Sequence, residues 1–276
     1  VFYDKSMVEA IGFIAFAAFC EFLPVSSSAH FWILQMLTTP CFPRPSVPHV
    51  APETLLLAHF VPLLILLIYF LPVWLKGGRD LLLSVKRHQM VGHAKVLLCV
   101  ALSVLPLVVV GAWKYFSGWD LNQCLHLTRA HSIGVGFVIF GTLFFIADRW
   151  CAQRKSWTNL GVRDALVLGV LQCLSLWSGA SRLGIVLTGA RVLGYGRKDA
   201  LTLGFLSAVP VLLGAQVLHM QDTWCYYTNL PWGAWVILVV ASVMGLVCGM
   251  MMARGKGYAY VALYRVIVGV IILMLR

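Results

Sequence analysis

The sequence predicts an all-α, polytopic membrane protein, built as an inverted-topology repeat in which a re-entrant helix pair plus three transmembrane helices occurs twice. Three observations carry this reading. Of the 276 residues, 61% are hydrophobic and 11% charged, and mean hydropathy is +0.88. That leaves too little polar surface to coat a water-soluble globule. Several apolar runs approach the ~20 residues that a helix needs to cross a bilayer. They are continuous, unlike the ~10-residue alternations of a membrane β-barrel. Finally, basic residues alternate from linker to linker. The net charge of +11 is therefore read as cytoplasmic Lys and Arg plus attraction to anionic lipid, and nucleic acid is excluded as a partner.

In chain order, the first apolar region, 7–37, is interrupted at its centre by "EFLPVSSSAH" (21–30). Full spans are predicted at 54–75, 94–113 and 132–147. A second interrupted region, 165–193, is broken at "WSGASR", and spans follow at 201–219, 234–252 and 258–275. Each interrupted region is too polar at its middle to be one span, and each half is too short to cross alone. Two half-helices that enter and return on one side solve both problems, because irregular backbone at membrane depth is tolerated where protein or a cavity surrounds it.

Charge sets the orientation. Linkers 76–95, 149–163, 191–198 and 253–257 are basic, whereas 38–53 carries only Arg44, 114–131 only Lys114 and Arg129, and 220–233 no basic residue. The first group is predicted cytoplasmic and the second external. Three spans separate the two broken pairs, so the second unit (149–276) enters with the opposite topology to the first (1–148). Broken helices of inverted repeats meet near the midplane to build a site. The first apolar run lacks a basic n-region and a small-residue cleavage site, so it is not read as a signal peptide. Eight cysteines show no zinc-ligand spacing. Cys20, Cys99, Cys173 and Cys248 fall in apolar runs, and Cys41, Cys124 and Cys225 in predicted loops.

The interruptions hold the candidate chemistry. Glu21 inside an apolar run is costly and marks a functional position. Pro24 breaks the helix, and Ser26, Ser27 and Ser28 can cap the next one. The N-terminus of that returning half-helix suits an anion. His30, one turn later, is a candidate general acid or base. In the second break, Ser178, Gly179 and Ser181 form another polar helix start, and Arg182 offers a planar fork for phosphate. Taken together, these groups point to phosphoryl transfer. His59, beside Pro62, is placed in the same cavity or on backbone freed by that proline. Arg265 is placed at the interface or against the second pair.

At these residues the chain resembles the undecaprenyl-pyrophosphate phosphatase, or bacitracin-resistance, family. "EFLPVSSSAH" (21–30) is similar to the family's first motif and "WSGASRLG" (177–184) to its second; "LGFLSAVPVLLGA" (203–215) and "YRVIVG" (264–269) extend the likeness. The resemblance implies a fold with two re-entrant pairs. It also implies hydrolysis of a polyprenyl pyrophosphate lipid to the monophosphate, recycling the carrier of cell-wall precursors. The expected place is the bacterial cytoplasmic (inner) membrane with the site facing the outer side, and a homodimer is a further expectation. By the resemblance, a divalent cation, Mg2+ or Ca2+, would be held by Glu21. Ser26 and Ser27 would contact phosphate, with Ser28, Gly179 and Ser181 completing the substrate site, and Arg182 would clamp the pyrophosphate. His30 would serve as base or proton donor, leaving open whether Ser27 or a water attacks phosphorus. The chain departs from the family pattern in having Ala17 in place of a second glutamate, and Ser178, Leu183 and Val186 in place of Pro, Ser and Thr.

Two other functions are weighed. An acid phosphatase of the "SR-x5-H" type is excluded because Thr188 stands at the His position and "PSGH" is absent. A non-hydrolytic carrier or flippase for polyprenyl phosphates would use the same phosphate-binding residues.

Overall fold

The computed structural model describes residues 5–38, 52–90, 92–118, 127–255 and 257–275. Among them the secondary structure is helical, apart from one isolated β-bridge between Lys155 and Tyr195. The first broken pair is α1 (Lys5–Cys20) and α2 (Ser27–Thr38), of 16 and 12 residues. Both are shorter than a bilayer crossing requires.

The predicted span 54–75 ends early. Helix α3 (Pro52–Tyr69) stops before Phe70, where the chain bends by 63° into α4 (Leu71–Arg87). Pro72 lies in the first turn of α4, where its missing N–H costs nothing and its fixed φ favours a helix start. Helix α4 therefore replaces most of the basic linker expected at 76–95. One side, with Gly77 and Ser84, is buried, and His93 N donates to Asp80 Oδ2 at 2.8 Å. Leu71, Leu75, Leu82 and Val85 stand exposed on another side, and Lys76, Arg79, Lys86 and Arg87 share the helix.

Next come α5 (Gly92–Ser117) and α6 (Arg129–Trp150), the latter capped by Thr128, whose Oγ1 accepts from His131 N at 3.3 Å. The division between units expected at 148/149 thus falls inside the last turn of α6. The second broken pair is α7 (Val162–Gln172), a 3-10 turn (Cys173–Leu176) and α8 (Arg182–Val192). It is followed by α9 (Arg197–Leu218), α10 (Met220–Asn229), α11 (Trp232–Met252) and α12 (Gly257–Met274). Helix α10 takes the place of the loop expected at 220–233 and carries Cys225. Cys41 and Cys124 lie outside the described residues.

Helices α5, α6, α9, α11 and α12 are long and apolar enough to cross a membrane, and α3 with α4 forms a bent sixth candidate. The chain is a multi-pass membrane protein. Among the described residues the most extensive helix–helix packing joins α6 to α12. There Gly134 and Gly269 face each other, and a Cβ on Gly269 would lie 2.8 Å from the Gly134 carbonyl. Small residues at such crossings let backbones approach where no hydrophobic force between helices exists in lipid. Helix α1 packs on α11, α7 on α5, and α3 on α9. Phe22, Leu66, Phe144, Leu187 and Leu206 belong to the main core cluster between them.

The far end of the second pair is fastened by polar contacts. Asp148, at the end of α6, accepts from Arg197 Nε at 2.7 Å and Nη2 at 2.8 Å. Arg191 spans the Tyr195, Asp148 and Cys151 carbonyls. In the loop beyond α8, Tyr195 donates to Asp164 Oδ2 at 2.8 Å, and burial together with that carboxylate pushes its phenol up.

Candidate active site

The two breaks are built alike. Glu21 N still donates to Ala17 O (3.1 Å), but Leu23 N reaches back only to Cys20 O (3.1 Å) and Pro24 has no N–H to give. Ser26 then reverses the chain with φ 74°, and its carbonyl accepts the first bond of α2 from His30 N at 3.1 Å. In the second break Gly179 (φ 87°) and Ser181 (φ 65°) make the reversal. The Ser181 carbonyl accepts from Ile185 N at 2.9 Å, and its Oγ caps α8 by accepting from Gly184 N at 3.2 Å. Each returning half-helix thus starts at a serine in the left-handed region.

Both starts open on one cavity of about 200 Å³, lined by Glu21, Ser26, Ser27, Ser28, Ser181 and Arg182. His59, Ser175 and Trp177 also line it, and Val211, Leu212 and Ala215 supply a wall from α9. Glu21 organises the polar side. Its carboxylate accepts from Arg182 Nη2 and from Ser27 Oγ (2.8 Å), with His59 Nε2 at 3.3 Å. The three donors come from α8, α2 and α3. The Glu21, Arg182 and His59 side chains are 11%, 17% and 19% exposed. A carboxylate so enclosed persists in an apolar setting only when paired and hydrogen-bonded.

Two predicted residues stand behind the cavity. His30 is buried, its ring packed among Phe16, Phe137 and Tyr264. Nδ1 lies 3.0 Å from the Ser26 carbonyl, an acceptor only, so Nδ1 carries the proton; Nε2 meets the Tyr264 hydroxyl at 2.8 Å. The Gly179 carbonyl likewise turns away, accepting from Arg265 Nη2 at 2.8 Å. His59 fulfils the cavity alternative of its sequence reading, and its contact to Glu21 explains it without any role on freed backbone. The link from Tyr264 to His30 was not anticipated. Its only trace in the sequence is a Tyr-Arg pair in an otherwise apolar final run.

The donor set does not fit the expected divalent cation. A hard cation wants several free oxygens, and the single carboxylate here already holds a guanidinium, a hydroxyl and an imidazole. Among the described residues no group of three His, Cys, Asp or Glu side chains could hold a metal ion. Ala17, at the site of the missing carboxylate, is fully buried and packs in an apolar cluster with Phe13, Phe31, Leu57 and Val61. Leu183 lines the cavity and Val186 is buried.

The fold and site define a multi-pass membrane protein with an internal polar cavity between two broken helix pairs. Over residues 11–271 the sequence matches the family described as bacitracin resistance protein BacA. The chain belongs to that family. It is similar to the undecaprenyl-diphosphatase of Alcanivorax borkumensis, at 31% identity over 259 residues covering 92% of each chain. The undecaprenyl-diphosphatase of Ruegeria pomeroyi is 32% identical over 264 residues, again 92% of each chain. That of Dinoroseobacter shibae is 34% identical over 267 residues, 92% of this chain and 93% of the relative.

Proposed function

We propose that this protein hydrolyses undecaprenyl pyrophosphate, or a similar polyprenyl pyrophosphate, to the monophosphate and inorganic phosphate. The observation that carries the reading is the Glu21 carboxylate, gathering Ser27, Arg182 and His59 beneath two helix starts. The N–H groups of α2 and α8 suit the phosphate oxygens. Arg182 spends one Nη on Glu21 and has further N–H groups for phosphate. Ser27 Oγ attacks the terminal phosphorus and its proton passes to Glu21. The bond from that phosphorus to the bridging oxygen breaks, and the lipid monophosphate leaves. Water then hydrolyses the phosphoserine, releasing phosphate and restoring Ser27. Positive charge comes from Arg182 and the helix starts, and no step is assigned to a metal. His30 acts on the backbone, holding the Ser26 carbonyl from behind; this supports Ser27 over a His30-activated water.

The site faces the outer side of the bacterial cytoplasmic membrane. Helix α9 begins at Arg197 on the basic side, and its cavity-lining residue Ala215 lies roughly 27 Å further along at 1.5 Å per residue. The inverted repeat is supported by the reciprocal packing of α1 on α11 and α7 on α5.

The test is phosphate release from farnesyl or undecaprenyl pyrophosphate by purified protein in detergent, beside Ser27→Ala. Release by the parent and its loss in the variant are expected. Lipid binding without phosphate release would favour the carrier reading instead.

A further inference from the structure

Arg265 lies in the middle of apolar α12 and is fully buried. Among the described residues, none of the ion pairs includes it. Its guanidinium instead spans the two breaks. Nη1 donates to the Pro24 carbonyl at 3.3 Å, and Nη2 donates to the carbonyls of Gly179 (2.8 Å) and Ala180 (2.9 Å). The ring of Phe137 lies 5.5 Å from its central carbon. These carbonyls belong to non-helical backbone, and a buried carbonyl without a donor costs about as much as a lost hydrogen bond. One planar fork serves carbonyls from both halves of the chain, which a lysine ammonium, a point charge, cannot do with the same geometry.

We infer that Arg265 is a positioning residue that sets the spacing of the two helix starts, so that they engage the two phosphates of one diphosphate together. The inference rests on the hydrolytic reading for its consequence in turnover, but not for its consequence in binding. A residue that merely stabilised the fold would weaken every ligand alike. A residue that sets the spacing matters for a diphosphate and is indifferent to a monophosphate, which needs one start only.

Arg265→Lys tests this, with kcat for phosphate release from farnesyl pyrophosphate and the affinities for farnesyl methylenediphosphonate, which cannot be hydrolysed, and farnesyl monophosphate. We expect kcat to fall about 10²-fold, as when a preorganised transition-state donor is lost. Affinity for the diphosphonate should fall about tenfold or more, the scale of a hydrogen bond to a charged group, with monophosphate affinity unchanged. Parental kcat and diphosphonate affinity, or equal weakening of both ligands, would overturn the inference. If Arg265→Lys does not fold, Gly184→Ala serves: a Cβ there would come within 2.9 Å of Arg265 Nη1, displacing it from Pro24, and the same pattern is expected. If the parent binds the diphosphonate but releases no phosphate, the hydrolytic reading fails while the binding comparison still decides the role of Arg265. A parent that binds neither ligand overturns both.

Discussion

At Glu21 three donors meet on one carboxylate, and they differ in what they can offer a substrate. Arg182 faces the cavity with N–H groups to spare, so Arg182→Lys, which keeps the charge and loses the fork, is expected to lower kcat/KM by about 10²-fold. Steady-state phosphate release measures it; a variant with parental kcat/KM would remove the guanidinium from the site. Because the Glu21 carboxylate is already engaged by Arg182, Ser27 and His59, chelation by EDTA is expected to leave phosphate release in place. Loss of activity in EDTA with recovery on adding Mg2+ would refute this. Position 17 offers no easy route back to a two-carboxylate site. Ala17 fills its place between Phe13, Phe31 and Leu57, and overpacking a core costs about 1–3 kcal/mol before any charge is counted. Ala17→Glu is therefore expected to lower the melting temperature in detergent without creating magnesium dependence.

At the scale of elements, the two broken pairs were legible because their signals are local. Pro24, the serine triplet and the glycine-serine turn at 179–181 lie on the residues that break the helix. Helix α4 was less legible, since four basic residues among leucines read equally well as a cytoplasmic linker. Its apolar positions 71, 75, 82 and 85 sit on one side at helical spacing, but the bend at Phe70 that separates them from α3 is marked only by Pro72, with no polar break beside it. The direction of His30 was hidden for another reason. Its partner Tyr264 is distant in sequence, and the backbone reversal at Ser26 decides which side of α2 it occupies. Orientation in the membrane follows from these elements. In a cysteine-free background, Asn229→Cys at the end of α10 should react with an impermeant maleimide added to intact cells, and Arg79→Cys on α4 should not. The opposite pattern would invert the topology and with it the outward-facing site.

Across the whole molecule, each broken pair finds support in the other half: α1 lies on α11, α7 on α5, and α6 crosses α12 along their length. Helix α1 also lies on α3 and α8 on α9 within their own halves, but neither pair is packed by its own half alone. Fragments divided within 151–156 are therefore expected to be degraded when expressed singly and to assemble into an active complex when expressed together, read by co-purification and phosphate release. Stable accumulation of one fragment alone would show that the halves are independent folding units.

Ser26 and Ser181 hold φ values of 74° and 65°, a region that costs an ordinary L-residue about 1–2 kcal/mol and glycine nothing comparable. Selection for a durable fold alone would favour glycine at both places. Keeping a hydroxymethyl group at each turn makes sense if the cavity needs the oxygen or the stiffness more than the protein needs the stability. Ser181→Gly should accordingly give a protein that melts at a higher temperature and turns over more slowly, placing longevity and activity in opposition at a single atom group.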